Sequence, residues 1–170
     1  MIETEQQARD YVAQWGDVPA MERLERFIDL LTAENQRQNL ISKPSEAMIW
    51  RRHLADSAQL LEYVPRETLR GGPGTGRWLD LGTGAGFPGI VIAALCPQID
   101  TVLVESRARR VEFLQRCIDE LDLERCTVIG ERLERIEPFE SWVISARAFA
   151  PLEKLLRLSA PFSTKDSLYL

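Results

Sequence analysis

The loop at residues 80–89 constrains the fold of this chain more than any other feature. Its sequence is DLGTGAGFPG, and it joins an apolar run that predicts a β-strand to one that predicts an α-helix. Glycines at alternate positions allow a sharp turn and leave bare backbone against which a ligand can lie. The proline suits the first turn of a helix, where N–H groups point back into the loop. The loop therefore predicts an α/β fold with a ligand site at this turn.

The pattern after residue 77 extends this prediction to a whole sheet. Short β-like runs alternate with helical segments at intervals typical of β-α-β units. The predicted strands are residues 77–81, 101–105, 126–130, 142–146 and 167–170. The predicted helices between them are residues 88–95, 107–121 and 151–158. We therefore expect a parallel, right-handed sheet with helices on both faces.

The first 70 residues predict a helical cap in front of this sheet. Helices are predicted at residues 4–15, from Pro19 onward, and at residues 44–63. The second helix has an amphipathic stripe that consists of Met21, Leu24, Phe27, Ile28 and Leu31. A glycine-rich linker at residues 71–76 then separates the cap, residues 1–70, from a ligand-binding domain at residues 77–170.

Composition excludes several classes of protein. The chain has 170 residues and 45% hydrophobic side chains, which is enough for one domain with a core. No apolar run approaches the roughly 20 residues that cross a bilayer. Three cysteines without a C-x-x-C pair argue against a disulfide framework or a zinc site. We therefore expect a cytoplasmic protein without a metal or a membrane segment. A net charge of −5 argues against RNA binding by bulk positive charge.

Two carboxylates lie at the ends of the first two predicted strands, where a ligand could meet them. Asp80 ends the first strand, and Glu105 ends the second, at a position that can accept two ribose hydroxyl groups. Gly84, Gly86 and Gly89 match the dinucleotide fingerprint, which alone is a weak signal. The D-x-G-x-G-x-G spacing instead indicates S-adenosylmethionine, whose ammonium group favours a carboxylate such as that of Asp80. A glycine-rich turn without a ligand is the third interpretation.

Longer motifs around this loop match one family. The segments LDLGTGAGFPGIVIA, VLVESRARRVEFLQ, ERLE and ISARAFAPL, with NQRQNLIS and RHLADS upstream, extend over most of the chain. The chain resembles the bacterial small-subunit rRNA 7-methylguanosine methyltransferases, also called glucose-inhibited division protein B. The F-P-G after the glycines and the R-A-F-A-P-L block are much more specific than the glycine loop.

The resemblance implies a Rossmann-like, class I S-adenosylmethionine-dependent methyltransferase that methylates N7 of a guanine in 16S rRNA. The substrate would be the small ribosomal subunit or its precursor. Cofactor binding in the family maps here to loop and strand-end positions, together with the two carboxylates named above. The full set is Asp80, Gly82, Gly84, Phe87, Glu105, Leu133, Glu134 and Arg147.

The reaction that the resemblance implies needs no general base. Guanine N7 carries a lone pair and no proton, so alignment and desolvation are sufficient, and no catalytic residue or metal is expected. Arg147 could bind the cofactor carboxylate or an RNA phosphate, or could be a structural strand-end arginine. His53 could line the RNA-facing mouth of the site or could pack with a hydrogen bond to Asp56. A set of arginines could follow RNA phosphates or, as the favoured interpretation, form a solvated, salt-bridged surface. The set consists of Arg51, Arg52, Arg107, Arg109, Arg110 and Arg116.

The sequence leaves the end of the sheet and two alternative functions open. Methyltransferase sheets of this class normally have seven strands, whereas five are predicted here, so we expect a sheet without the C-terminal antiparallel hairpin. The first alternative function is an NAD-dependent Rossmann oxidoreductase, although the sequence offers no evident pair of proton donors. The second is an S-adenosylmethionine-binding module without catalytic activity.

Overall fold

The structure is a computed structural model that describes residues 2–71 and 76–170. The described residues form eight α-helices and five β-strands. The helices are α1 (Glu5–Val12), α2 (Val18–Asn35), α3 (Lys43–Glu46), α4 (Ala55–Ala58), α5 (Arg66–Leu69), α6 (Gly89–Leu95), α7 (Ala108–Glu120) and α8 (Leu152–Ser159). The strands are β1 (Arg77–Leu81), β2 (Thr101–Val104), β3 (Cys126–Ile129), β4 (Ser141–Ala146) and β5 (Ser163–Tyr169).

The five strands form one parallel sheet in the order β3-β2-β1-β4-β5. The predicted α/β sheet is confirmed, and each predicted strand overlaps an observed one. From β1 the chain first proceeds toward β3 and then crosses back to β4 on the other side. Because the direction of winding reverses between β1 and β4, the loops after these two strands diverge and open a crevice. The glycine loop lies at this crevice.

Alternating side chains give the sheet two apolar faces. Trp78 and Leu103 point to the face covered by α2, α6 and α7. Leu79, Leu81 and Val104 point to the opposite face, together with partly buried leucines of α8. This period-two pattern explains why short apolar runs predicted the strands correctly.

The N-terminal helices share the core of the first face. The side chain of Asp17 caps α2 by accepting the Ala20 N–H at 2.9 Å. Leu24, Phe27 and Leu31 are fully buried, in one continuous cluster with side chains of α6 and the sheet. The boundaries proposed for the cap, linker and sheet domain remain predictions, and residues 72–75 of the linker lie outside the described residues.

The prediction of one continuous helix at residues 44–63 is wrong. This region contains α3, a π-helical turn at Trp50–Leu54, α4, and a 3₁₀ turn at Gln59–Tyr63. The carboxylate of Glu5, from α1, accepts the backbone N–H groups of Trp50 and Arg51 at 2.9 and 3.2 Å. Because the capping carboxylate comes from α1, the periodicity of the local sequence gives no sign that a new helical segment begins at Trp50.

The cysteines have the environment of core residues. Cys96, Cys117 and Cys126 are buried and unbonded, and burial raises the pKa of each thiol to about 12. Thiols in this state are poor nucleophiles at neutral pH. Within residues 2–71 and 76–170, no helix could cross a membrane, and no group of three or more His, Cys, Asp or Glu side chains could hold a metal ion.

Candidate cofactor and substrate site

The glycine loop is held open as a cradle at the carboxyl end of β1. Gly82, Gly84 and Gly86 have φ values of +68°, +61° and +101°, a region that side-chain-bearing residues rarely adopt. The N–H groups of Gly82 and Thr83 donate to the carbonyl oxygen of Val104 at 2.9 and 3.2 Å, which ties the loop to β2. A Cβ atom on Gly84 would have no neighbour closer than 3.6 Å. A side chain at Gly84 would therefore begin in ordinary van der Waals contact with Arg110 and the Gly82 carbonyl oxygen and would overlap neither.

Asp80 lies beneath the loop and does not line the cavities described below. Its carboxylate is fully buried and accepts hydrogen bonds from the Thr83 hydroxyl, the Ser145 hydroxyl at 2.8 Å and the Gly89 N–H at 3.0 Å. Burial raises its pKa to about 6, although these hydrogen bonds oppose the shift. This geometry therefore does not favour the expected contact between Asp80 and the ammonium group of a ligand. Asp80 instead holds the loop between β1, β4 and α6.

Gly89 explains why the start of α6 packs so closely on Asp80 and the sheet. A Cβ atom at Gly89 would lie 2.8 Å from a carboxylate oxygen of Asp80 and would also overlap Leu103. Only glycine lets the start of α6 approach the sheet this closely. The third glycine of the fingerprint therefore serves packing of the helix on the sheet.

Glu105 faces the loop from the end of β2. One carboxylate oxygen accepts the Gly84 N–H at 3.2 Å, and the other accepts the N–H groups of Ser106 and Arg107 at 2.8 and 2.9 Å. Its side chain is only 6% exposed, and the Arg110 guanidinium lies 3.6 Å away. Carboxylate oxygens have further lone pairs, so two ribose hydroxyl groups could still donate to Glu105.

Two cavities lie over this arrangement. The first cavity, of about 500 Å³, lies between the glycine loop and residues 40–56, and the second, of about 450 Å³, lies beside Glu105. Gly82, Arg110 and Ala148 line both of them. The two cavities therefore adjoin, and together they form a groove along the carboxyl ends of β1, β2 and β4, which is where parallel α/β sheets bind ligands.

The predicted site residues divide between the two cavities. Glu105, Leu133 and Glu134 line the second cavity, where buried Leu133 offers an apolar surface. Gly84, Phe87 and Arg147 line the first cavity, and Gly82 belongs to both. Seven of the eight predicted residues thus line one groove, and Asp80 lies directly below it.

Arg110 is a site residue that the sequence prediction missed. The favoured interpretation of its cluster is a salt-bridged surface, and Arg110 does lie beside Glu105, but it also borders both cavities. Arg116, from the same predicted cluster, pairs instead with Glu34 at 2.5 Å and lines neither cavity. Arg110 lies in the first turn of α7, and only the position of the glycine loop across from it distinguishes it from Arg116.

Arg147 follows β4 and is exposed on the wall of the first cavity. Among the described residues, no acidic side chain lies within salt-bridge distance of it. The interpretation of Arg147 as a strand-end arginine held by a nearby carboxylate therefore has no support in this geometry. A guanidinium without an acidic partner at a cavity suits an anionic group of a ligand.

A match to a family model identifies this groove. The model described as rRNA small subunit methyltransferase G, or GidB, matches residues 20–170. The chain belongs to this family. Ribosomal RNA small subunit methyltransferase G of Erythrobacter litoralis is 58% identical over 164 residues, which are 96% of this chain and 76% of that protein. The protein of the same name from Novosphingobium aromaticivorans is 53% identical over 154 residues, which are 91% of this chain and 65% of that protein.

Solved structures support the same fold at low sequence identity. A mutant of MtNAS in complex with S-adenosylmethionine matches with a TM-score of 0.55 and 17% identity, over 97% of this chain and 60% of that one. Coclaurine N-methyltransferase bound to N-methylheliamine and S-adenosylhomocysteine matches with a TM-score of 0.54 and 20% identity, over 97% of this chain and 56% of that one. The Rossmann-like methyltransferase fold predicted for this member of the methyltransferase G family is confirmed.

Replacement of Arg147 by alanine separates the two ligand contacts proposed for it. If the guanidinium binds the amino-acid carboxylate of the cofactor, Arg147→Ala should weaken S-adenosylhomocysteine binding about 10-fold, as expected for a charge-assisted hydrogen bond of about 1.5 kcal/mol. Binding of 5′-methylthioadenosine, which lacks that carboxylate, should not change. Titration calorimetry measures both affinities. If neither affinity changes and RNA methylation still falls, the phosphate contact is correct; unchanged binding and turnover would make Arg147 a structural residue.

Proposed function

We propose that this chain transfers a methyl group from S-adenosylmethionine to N7 of a guanine in 16S rRNA, within the small ribosomal subunit or its precursor in the cytoplasm. The observation on which the proposal rests is the groove of two adjoining cavities, in which Glu105 lies beside the bare backbone of Gly84. Membership in the methyltransferase G family supports an rRNA substrate. The cofactor, the base and the subunit are the more specific parts of the proposal.

The groove suits each part of the proposed cofactor. Glu105 would accept the ribose hydroxyl groups, and Leu133 and Glu134 would flank the adenine in the second cavity. Gly84 leaves the space that the methionine portion needs, because a side chain there would project into the cavity. When bound, S-adenosylmethionine supplies an electrophilic methyl group on a sulfonium ion. Arg147 would bind the carboxylate of its amino-acid portion.

The chain contributes alignment and exclusion of water in this mechanism. The loop is fixed from below by Asp80 and from the side by Glu105, so its backbone is already ordered before a ligand binds. Pre-ordered contacts lower the entropic cost of bringing two reactants into line. Residues 40–56 cover the first cavity and would shield the reacting atoms from solvent. No proton has to be removed from guanine N7, so we assign no general base.

The first cavity also offers local positive charge in a chain of net charge −5. Its wall includes Arg52, Arg110 and Arg147 and the carboxylate of Asp56. Arg110 also lies beside Glu105, which leaves Arg52 and Arg147 as the cations that an RNA can meet. Arginine binds phosphate through two parallel hydrogen bonds and stacks on bases. An acidic protein can therefore present a basic entrance for RNA, and we propose the first cavity as the place where the target base enters.

Methyl transfer to ribosomal subunits tests the proposal directly. Small subunits purified from cells that lack this activity should acquire one new 7-methylguanosine when incubated with the chain and labelled S-adenosylmethionine, mapped by N7-specific strand cleavage. Free deproteinised 16S rRNA serves as the control for the substrate form. Label on another base or another position would contradict the proposal. Tight cofactor binding without any labelled guanine would instead favour a binding module without catalytic activity.

Ligand-induced stabilisation separates the remaining alternative. S-adenosylhomocysteine should raise the Tm of the chain, because a ligand that binds only the native state stabilises it. NAD should not raise the Tm, because we propose that the groove binds S-adenosylmethionine. Stabilisation by NAD alone would make the oxidoreductase the better interpretation.

A further inference from the structure

His53 is the single histidine of the chain, and the proposed mechanism so far gives it no role. It lies in the π-helical turn at Trp50–Leu54 and is only 6% exposed. It lines the first cavity opposite the glycine loop. Its ring stacks on Phe87 with centroids 4.7 Å apart and an interplanar angle of 16°. The imidazole is therefore held in one orientation at the wall of the cavity.

Both ring nitrogens of His53 lack a hydrogen-bond partner among the described residues. The hydrogen bond to Asp56 that the sequence left open does not form, and the Asp56 side chain is exposed. A buried polar group without a partner costs about 1–3 kcal/mol, so native proteins rarely retain one without a use. A buried and oriented imidazole that lines a ligand cavity indicates a partner that arrives with the ligand.

The protonation state limits what this partner can be. Burial, followed by the nearby positive charges of Arg147 and Arg52, lowers the pKa of His53 to about 4. The ring is therefore neutral at neutral pH, with one N–H donor and one nitrogen acceptor. It is also a weak base, which suits hydrogen bonding to a substrate better than removal of a proton.

The position of His53 favours the target base over the cofactor. The residues proposed for the nucleoside of the cofactor line the second cavity, which His53 does not reach. His53 belongs to the helical region that faces the glycine loop across the first cavity. Guanine presents O6 as an acceptor next to N7, whereas adenine presents an amino group there. A donor beside the reacting nitrogen would hold the base without blocking N7.

We propose that His53 is a substrate-recognition residue that donates a hydrogen bond from its imidazole to O6 of the target guanine. This inference rests on the proposed function. His53 orients the guanine through the same edge that carries N7, and Phe87 fixes the ring that makes the contact. Both ring nitrogens are shielded from solvent in the free protein, so neighbouring side chains have to shift before the base can supply the partner that the imidazole lacks.

Three substitutions in the full chain test this role. His53→Leu removes both nitrogens at similar volume, whereas His53→Asn and His53→Gln place an amide near one ring nitrogen or the other. His53→Leu should lower kcat/KM for unmethylated small subunits about 10- to 30-fold, the effect of one lost hydrogen bond of about 1.5–2 kcal/mol. One of the two amide variants should recover most of this loss. The affinity for S-adenosylhomocysteine should stay within about twofold of wild type.

The Tm at pH 7 gives a second measurement, independent of activity. His53→Leu should not lower the Tm, because it removes two polar atoms that have no partner in the described structure. A lower Tm, or a parallel loss of S-adenosylhomocysteine affinity, would show a structural or cofactor role and overturn the inference. Full activity of His53→Leu would overturn it as well. A wild-type chain that methylates no guanine would overturn the proposed function together with this inference.

Discussion

Replacement of Gly84 by valine should abolish cofactor binding, with a loss of about 100-fold or more in S-adenosylhomocysteine affinity, or roughly 2.7 kcal/mol. Gly84 has a φ of +61°, and nothing lies within 3.6 Å of the position that a Cβ atom would take. The valine side chain would therefore enter the first cavity, where the methionine portion of the cofactor is proposed to lie. Titration calorimetry with S-adenosylhomocysteine measures the loss.

The same substitution strains the backbone, so a control has to separate strain from bulk. A β-branched residue in the left-handed region costs about 1–2 kcal/mol, which lowers the Tm of a domain this size by about 2–8 °C. Asparagine tolerates this region far better. Gly84→Asn should therefore lose cofactor affinity while it keeps a Tm close to that of wild type. Unchanged affinity in either variant would show that the ligand binds elsewhere.

Most of the sheet could be predicted from the sequence because its information is local. Buried parallel strands need short apolar runs, and β1 has the predicted bounds, Arg77–Leu81. The glycine loop could be placed because it must join a strand to a helix. Glu105 could be placed because the carboxyl ends of β1 and β2 meet at one edge of the sheet.

The parts that could not be predicted depend on contacts between distant segments. Glu5 caps the helical segment at Trp50 from 45 residues away, which divides a region that reads as one helix. Asp80 ends a strand as predicted, but only the packing of α6 and β4 shows that its carboxylate is fully buried. A carboxylate beside a glycine loop has the same sequence signature whether it faces the ligand or supports the loop.

Arg110 and His53 show the same limit within the site. Arg110 has the spacing of a solvent-facing helix residue, and its position between the cavities follows from the loop after β1. The sequence left two roles open for His53, at the mouth of the site or in packing, and the structure shows a buried ring that stacks on Phe87 without the expected hydrogen bond to Asp56. The signal that could have favoured the cavity was its place in RHLADS, a motif quoted for the family resemblance.

Asp80 and His53 should make opposite contributions to the pH dependence of stability. Burial raises the pKa of Asp80 from 3.8 to about 6, so the native state binds this proton more tightly than the unfolded state does. The stabilisation is full below pH 3.8 and is lost as the pH rises through 6. Burial lowers the pKa of His53 from 6.5 to about 4. Its stabilisation is full above pH 6.5 and is lost as the pH falls through 4.

The two contributions change over the same pH range, so a variant that lacks one group should show the pH dependence of the other. Each shift of about two pKa units corresponds to about 3 kcal/mol, so the two effects nearly cancel between pH 4 and 6.5 in the wild type. Asp80→Asn should lose stability relative to wild type as the pH falls through this range, whereas His53→Asn should gain it. Urea unfolding at pH 4, 5, 6 and 7 measures the difference, and comparison with wild type removes the contribution of surface carboxylates. If the free energy of unfolding had the same pH dependence in all three proteins, burial would not shift the pKa of either group.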